Sequence, residues 1–146
     1  MFSYLKSHAN SEMVYYPSSV QFDRAQFLRK DWGCSIYTQD DLKLVEELPS
    51  NMTDPRGLGM TMRVYVDSDH AGDTVTHRSR TGFIIFLNSA PIYWSSKKQT
   101  SCETSSFRSD FCAMKQATEY VRGLRYKLRL MGIPVDEPAF IFGDNQ

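Results

Sequence analysis

The chain has 146 residues, 41% of them hydrophobic and 23% charged, and its 17 basic residues balance 17 acidic ones. That is the composition of a globular protein long enough to bury a core, and no run of residues approaches membrane-span length. The start lacks the basic-then-apolar pattern of a signal peptide, so a soluble intracellular protein is expected, and zero net charge argues against a strongly basic nucleic-acid-binding module.

The first part of the chain, residues 1–59, has weak periodicity. Phe2 to Leu5 reads as the tail of a helix, and Tyr15-Tyr16-Pro17 reads as extended, because the residue before a proline avoids the helical region. Asp23 to Lys30 reads as a short helix. Pro49, Pro55 and Gly57 then punctuate a linker, and a boundary is expected near residue 60. The three cysteines, Cys34, Cys102 and Cys112, show no C-x-x-C spacing. They are expected to be reduced and mostly buried rather than a disulfide framework or a zinc site.

From residue 60 the pattern sharpens. Met62, Val64 and Val66 alternate with Arg63 and Tyr65, which is the period of a strand. Phe83-Ile84-Ile85-Phe86-Leu87 forms a second strand, Asn88-Ser89 a turn, and Ile92-Tyr93-Trp94 a third strand paired as a hairpin. Trp94 and Tyr93 read as core and sheet-face residues. Thr104-Ser105-Ser106 offers helix-capping oxygens, and Phe107, Phe111, Met114, Val121, Leu124 and Leu128 trace an apolar helical stripe. Gly132 and Pro134 stop the helix just after Met131. A last short strand spans Ala139 to Phe142 before Gly143-Asp144-Asn145-Gln146.

Three carboxylates occupy informative places. Asp67 ends the first strand, Asp110 lies in the first two turns of the helix beside its apolar stripe, and Asp144 follows the last strand. A carboxylate facing a core needs compensation, and hard oxygen ligands at strand ends suit magnesium. The competing reading is bland: an acid near a helix N-terminus is favoured by the macrodipole, and Asp144 makes a turn. Spacing alone leaves both readings open. The basic cluster Arg122, Arg125, Lys127 and Arg129 likewise reads as the solvated face of a helix.

Several motifs in order resemble one family. Asp67-Ser68-Asp69-His70-Ala71-Gly72-Asp73 with Arg78-Ser79-Arg80-Thr81-Gly82 is similar to the opening of the ribonuclease H domain of copia-type retrotransposons, D-x-D-x-A-G-D followed by R-S-x-[ST]-G. Pro91-Ile92-Tyr93-Trp94-Ser95-Ser96-Lys97-Lys98-Gln99 resembles its P-I-x-W-x-S-K-K-Q. Ser105 to Phe111 resembles its S-S-x-x-[AS]-E-[YF], and Asp144-Asn145-Gln146 its D-N-Q. Upstream, Tyr4-Leu5-Lys6-Ser7 resembles the end of the preceding reverse transcriptase domain.

The resemblance implies an α/β fold, the ribonuclease H-like mixed sheet. An antiparallel three-strand meander leads through a crossover helix to a parallel fourth strand. It implies residues 1–59 as a connection from a reverse transcriptase portion of the same polyprotein, and residues 60–146 as the ribonuclease H-like domain. That domain is expected to be incomplete at its C-terminus, where the family continues to a fourth acidic ligand. The implied site is Asp67, Asp110 and Asp144, meeting to hold two magnesium ions and hydrolyse RNA in an RNA/DNA hybrid. Phosphate contacts are expected from Lys97, Lys98, Arg122 and Arg125, and the setting is a cytoplasmic virus-like particle or the nucleus. The family has Glu where this chain has Asp110, and Arg108 stands where Glu or Gly is usual. Because the fourth acidic ligand is missing and Asp replaces Glu at 110, activity is expected to be weakened or lost, and the alternative is a non-catalytic nucleic-acid-binding or structural remnant.

Overall fold

The computed structural model describes residues 15, 16, 18–27 and 48–143. Strand β1 is Met62–Asp69, β2 Arg80–Leu87, β3 Ala90–Lys98 and β4 Phe140–Gly143, and helix α1 is Ser106–Leu130. The strands form one sheet in the order β3-β2-β1-β4. β1 pairs antiparallel with β2, and β2 antiparallel with β3. β4 pairs parallel with β1, Val66 facing Gly143. The result is a mixed α/β architecture consistent with the ribonuclease H-like fold: a meander, a crossover helix and a parallel fourth strand. A parallel neighbour cannot be reached by a tight turn, so α1 carries the chain across the sheet. Among the described residues no helix is long and apolar enough to cross a membrane.

Local chemistry sets the element ends. Asn88 adopts a left-handed backbone (φ 52°) at the β2–β3 turn, a conformation that asparagine tolerates. It docks on the start of β1 by donating its N–H to Thr61 O (2.8 Å) and accepting from Thr61 N at Oδ1 (2.9 Å). Ser105 is the N-cap of α1, its hydroxyl accepting from Arg108 N at 3.3 Å. Gly132, at φ +74°, turns the chain out of the helix, and Ile133 N returns to Leu128 O at 3.0 Å.

The buried stripe of α1 differs from the expected one. Ser109, Ala113, Ala117, Val121, Arg125 and Leu128 are buried, whereas Phe107 is 76% exposed and Phe111 62%. Met114 is exposed as well, and Leu124 is only partly buried. The reason is steric. The sheet face under α1 already carries Met62, Val64, Val66, Phe83 and Ile85. The first turns of the helix approach it through small side chains, which excludes two phenylalanines from the contact. Cys102 is also exposed, against expectation, and donates to His77 O at 3.2 Å. Cys112 is half-buried, and burial first, then the neighbouring Glu103 charge, pushes its thiol above the usual range. Cys34, the Phe2–Leu5 stretch and Lys30 lie outside the described residues.

Arg125 is a second correction. Expected on a phosphate-contacting surface, it is 9% exposed. It donates to the carbonyls of Glu137 (2.6 Å) and Val135 (3.1 Å), while Arg129 also reaches Val135 O (2.9 Å). The two guanidiniums thus serve backbone acceptors of the segment leading into β4.

Parts of residues 1–59 pack on this sheet. Within the expected short helix, Arg24–Phe27 is a single 3-10 turn. Phe22 and Phe27 meet Phe140 and Phe142 edge-on, with ring centroids 4.7–6.0 Å apart. Arg24 donates two hydrogen bonds to the Glu137 carboxylate, at 2.7 and 3.0 Å. Farther on, Arg56 N donates to Gly132 O (2.7 Å) and Met60 N to Pro134 O (2.9 Å).

Three outcomes are expected from this packing. Arg125→Ala is expected to lower the unfolding free energy by about 1–3 kcal/mol in urea titrations, because the Glu137 carbonyl loses this donor and Val135 O keeps only Arg129. Arg122→Ala, on the exposed face, is expected to change it by less than about 0.5 kcal/mol. Gly132→Ala forces a Cβ into a left-handed position 3.2 Å from Asp54 O, at a cost of about 1–2 kcal/mol.

The acid limb of stability has a nameable contributor. Hydrogen bonds from Arg24 and then Thr61 hold the Glu137 carboxyl below its ordinary range. A folded value below the unfolded one stabilises the protein above the unfolded pKa, and that contribution disappears as pH falls through the folded one. Arg24→Ala is expected to lower stability in the neutral region and to converge with the parent chain as pH falls below the usual glutamate range, so the acid limb of its stability-against-pH curve is flatter.

Candidate functional site

Strand alternation divides β1 between two faces. Met62, Val64, Val66 and Ser68 turn toward α1, and Arg63, Tyr65, Asp67 and Asp69 toward the open face of the sheet. Asp67 is exposed near the end of the strand, beside Gly82 of β2. Asp110 is half-buried on α1, and its carboxylate accepts a hydrogen bond from the Ser68 hydroxyl. That hydroxyl also contacts Ser109 Oγ at 3.0 Å. Ser68 therefore ties the residue after Asp67 to the helix that carries Asp110. Sequence reading passed over Ser68, although the period-two run Val64, Val66, Ser68 carried the signal.

β4 brings the chain back alongside. Gly143 pairs with Val66, one residue before Asp67, and a Cβ added at Gly143 would lie 2.9 Å from Met114 Cε. Asp144 itself lies outside the described residues. Among the described residues no group of three His, Cys, Asp or Glu side chains is gathered closely enough to hold a metal ion. Asp67 and Asp110 are hard oxygen donors of the kind magnesium prefers, and magnesium is often held through one or two carboxylates while keeping several waters. The donor set fits that ion in kind.

The loop after β1 is internally braced. Asp73 accepts from Val75 N and Thr76 N, both at 3.0 Å, and its other oxygen pairs with Lys98. A Cβ on Gly72 would run into the Asp69 carboxylate. Buried Ser79 accepts from Ala71 N at 3.1 Å and lies 3.5 Å from His70 Nδ1. Gln99, also buried, donates through Nε2 to Thr81 Oγ1 (3.0 Å) and Ser109 O (2.9 Å), binding the end of β3 to β2 and to the helix N-terminus. The serine after Arg78 and the glutamine after Lys98 are thus structural members of their motifs.

The basic residues divide. Lys97 and Lys98 are exposed at the end of β3, next to the start of β2, with Lys98 engaged by Asp73. Arg122 is exposed but stands about 18 Å farther along the helix than Asp110, at about 1.5 Å per residue. Arg125 faces the core. Arg108 pairs with Glu103 at 2.9 Å. Tyr93 is half-buried and stacks on Tyr120 with centroids 4.8 Å apart, whereas Trp94 is 56% exposed on the open face.

Parts of this sequence are similar to known proteins. A retrovirus-related Pol polyprotein from transposon RE2 of Arabidopsis thaliana is 32% identical over 90 residues, 62% of this chain and 6% of that protein. The corresponding polyprotein from transposon RE1 of the same plant is 31% identical over 90 residues, again 62% and 6%. An uncharacterized mitochondrial protein of Arabidopsis thaliana, AtMg00810, is 40% identical over 55 residues, 38% of this chain and 23% of that protein. The chain thus spans a small fraction of the polyproteins it matches. No family model matches it, and no solved structure matches it. With a mixed sheet, a crossover helix and these homologues, the chain is a retrotransposon-derived protein, similar to a segment of copia-type Pol polyproteins.

Proposed function

We propose that this protein is a ribonuclease H-like domain, with metal-dependent hydrolysis of the RNA strand of an RNA/DNA hybrid as its ancestral reaction and weakened activity in this copy. The reading rests on the family-like motifs and on the placement of two acids at one end of the sheet, Asp67 turned to the open face of β1 and Asp110 on the helix side, hydrogen-bonded to the adjacent Ser68. In this reading Asp67 and Asp110, with Asp144, hold magnesium, which activates a water and stabilises the leaving oxygen when bound. Lys97 sits at the same end of the sheet and takes the phosphate backbone. Residues 1–59 connect to a reverse transcriptase portion of a longer polyprotein.

The weakening has a physical source. Aspartate at 110 is one methylene shorter than the family's glutamate, and Ser68 already draws one of its oxygens toward the strand. A displacement near 1 Å in a catalytic group costs about a hundredfold in rate. The same observation favours a second reading, a non-catalytic remnant that keeps the fold and binds nucleic acid.

Hydrolysis of an RNA/DNA hybrid in magnesium, together with calorimetric magnesium titration of the free protein, separates the two. The nuclease reading expects slow cleavage that Asp67→Asn abolishes, weaker magnesium binding in that variant, and faster cleavage in Asp110→Glu. Equal cleavage and equal magnesium binding by the parent chain and Asp67→Asn would refute it. Hybrid binding without cleavage in any of the three would establish the remnant.

A further inference from the structure

The face of the sheet away from α1 has an ordered composition that the hydrolytic reading does not use. One row crosses all four strands, Trp94, Ile84, Tyr65 and Phe142 in register, its β4 end covered by Phe22 and Phe27 and its β3 end open. Trp94 is 56% exposed and Tyr65 40%, and Tyr65 stacks on Phe142 at 4.9 Å with the rings 13° from parallel. The next row is Ser96, Gly82 and Asp67, and the one beyond is Lys98, Arg80 and Asp69. A Cβ on Gly82 would meet only Asp67 O, at 3.8 Å, so the middle row is a shallow trough. Arg80 is exposed and carries no ion pair among the described residues, and the same holds for Arg78 at the mouth of the loop.

We propose that this face binds single-stranded nucleic acid, with Trp94 and Tyr65 as base-stacking platforms and Arg80 as a phosphate contact across the Gly82 trough. An exposed indole on a flat sheet offers a π-face to an unpaired base of any identity, and a cation a few residues away suits the backbone that joins such bases. A duplex hides its base faces and cannot use the platform. A protein partner is the poorer match, because the apolar strip is a single row bordered by a carboxylate, a guanidinium, a serine and a glycine, where interface cores are depleted in charge. The site requires no metal and no cleavage, so it stands or falls apart from the nuclease reading.

The test is fluorescence anisotropy of a labelled oligothymidylate with the full chain in EDTA at low salt, with blunt duplex DNA as competitor and light scattering in parallel. Trp94→Ala is expected to weaken binding by roughly tenfold, and Trp94→Phe to keep most of it. Arg80→Ala is expected to weaken it and reduce its salt dependence. Duplex is expected to compete poorly. Unchanged oligothymidylate affinity in both Trp94→Ala and Arg80→Ala, or duplex competing as well as single strand, overturns the proposal. A Trp94→Ala chain that changes its association state while keeping its affinity also overturns it, assigning the face to protein contact. Because magnesium is absent, none of these outcomes bears on whether Asp67 supports hydrolysis.

Discussion

The close approach of α1 to the sheet is the constraint from which the rest of the structure follows. Ser109, Ala113 and Ala117 line the first half of the buried stripe, and each lets the helix settle on strands already filled by Val64, Val66, Phe83 and Ile85. Large side chains there would raise the helix and open voids that interiors do not tolerate. With the helix seated low, its first turns come within hydrogen-bonding reach of β1, and Ser68 meets both Ser109 and Asp110. With it seated low at the far end, Arg125 is buried and collects the carbonyls of residues 135 and 137. Those contacts guide the chain into β4, whose parallel register with β1 depends on where the crossover ends.

Polar residues in buried places complete this arrangement rather than oppose it. Gln99 and Ser79 fasten the ends of β2 and β3 to the loop after β1 and to the helix start. Each lies within a motif that resembles the retrotransposon family's, and each hydrogen-bonds a neighbouring segment. The motifs therefore serve two purposes. Asp67 and Asp110 stand at one end of the sheet on opposite faces, and Ser79 and Gln99 hydrogen-bond the segments around that end.

The segment before β1 is joined to the same framework. Phe22 and Phe27 cover the aromatic rings of β4, Arg24 anchors to Glu137, and residues 53–60 run along the end of α1. Weak periodicity in residues 1–59 had no way to reveal this. A few aromatic rings and one ion pair bind a short segment to a surface built by residues far away in the chain. Periodicity detects only elements that bury a face of their own.

Much of the architecture was legible in the residues. Alternation over Met62–Val66, the Asn88-Ser89 turn, the capping serines and Gly132 announced the element order, because each is a local conformational preference. The ordered motifs announced the family. The faces were not legible. Phe107 and Phe111 have the right spacing for a core stripe yet remain exposed, while Ser109 and Arg125 are buried. Spacing defines a helix stripe only up to rotation about its axis, and the rotation chosen depends on how near the opposing sheet must come. The same holds for Trp94, Ser68 and Asp67: a strand alternates by itself, but which side meets a helix and which stays open is decided only once the helix has packed.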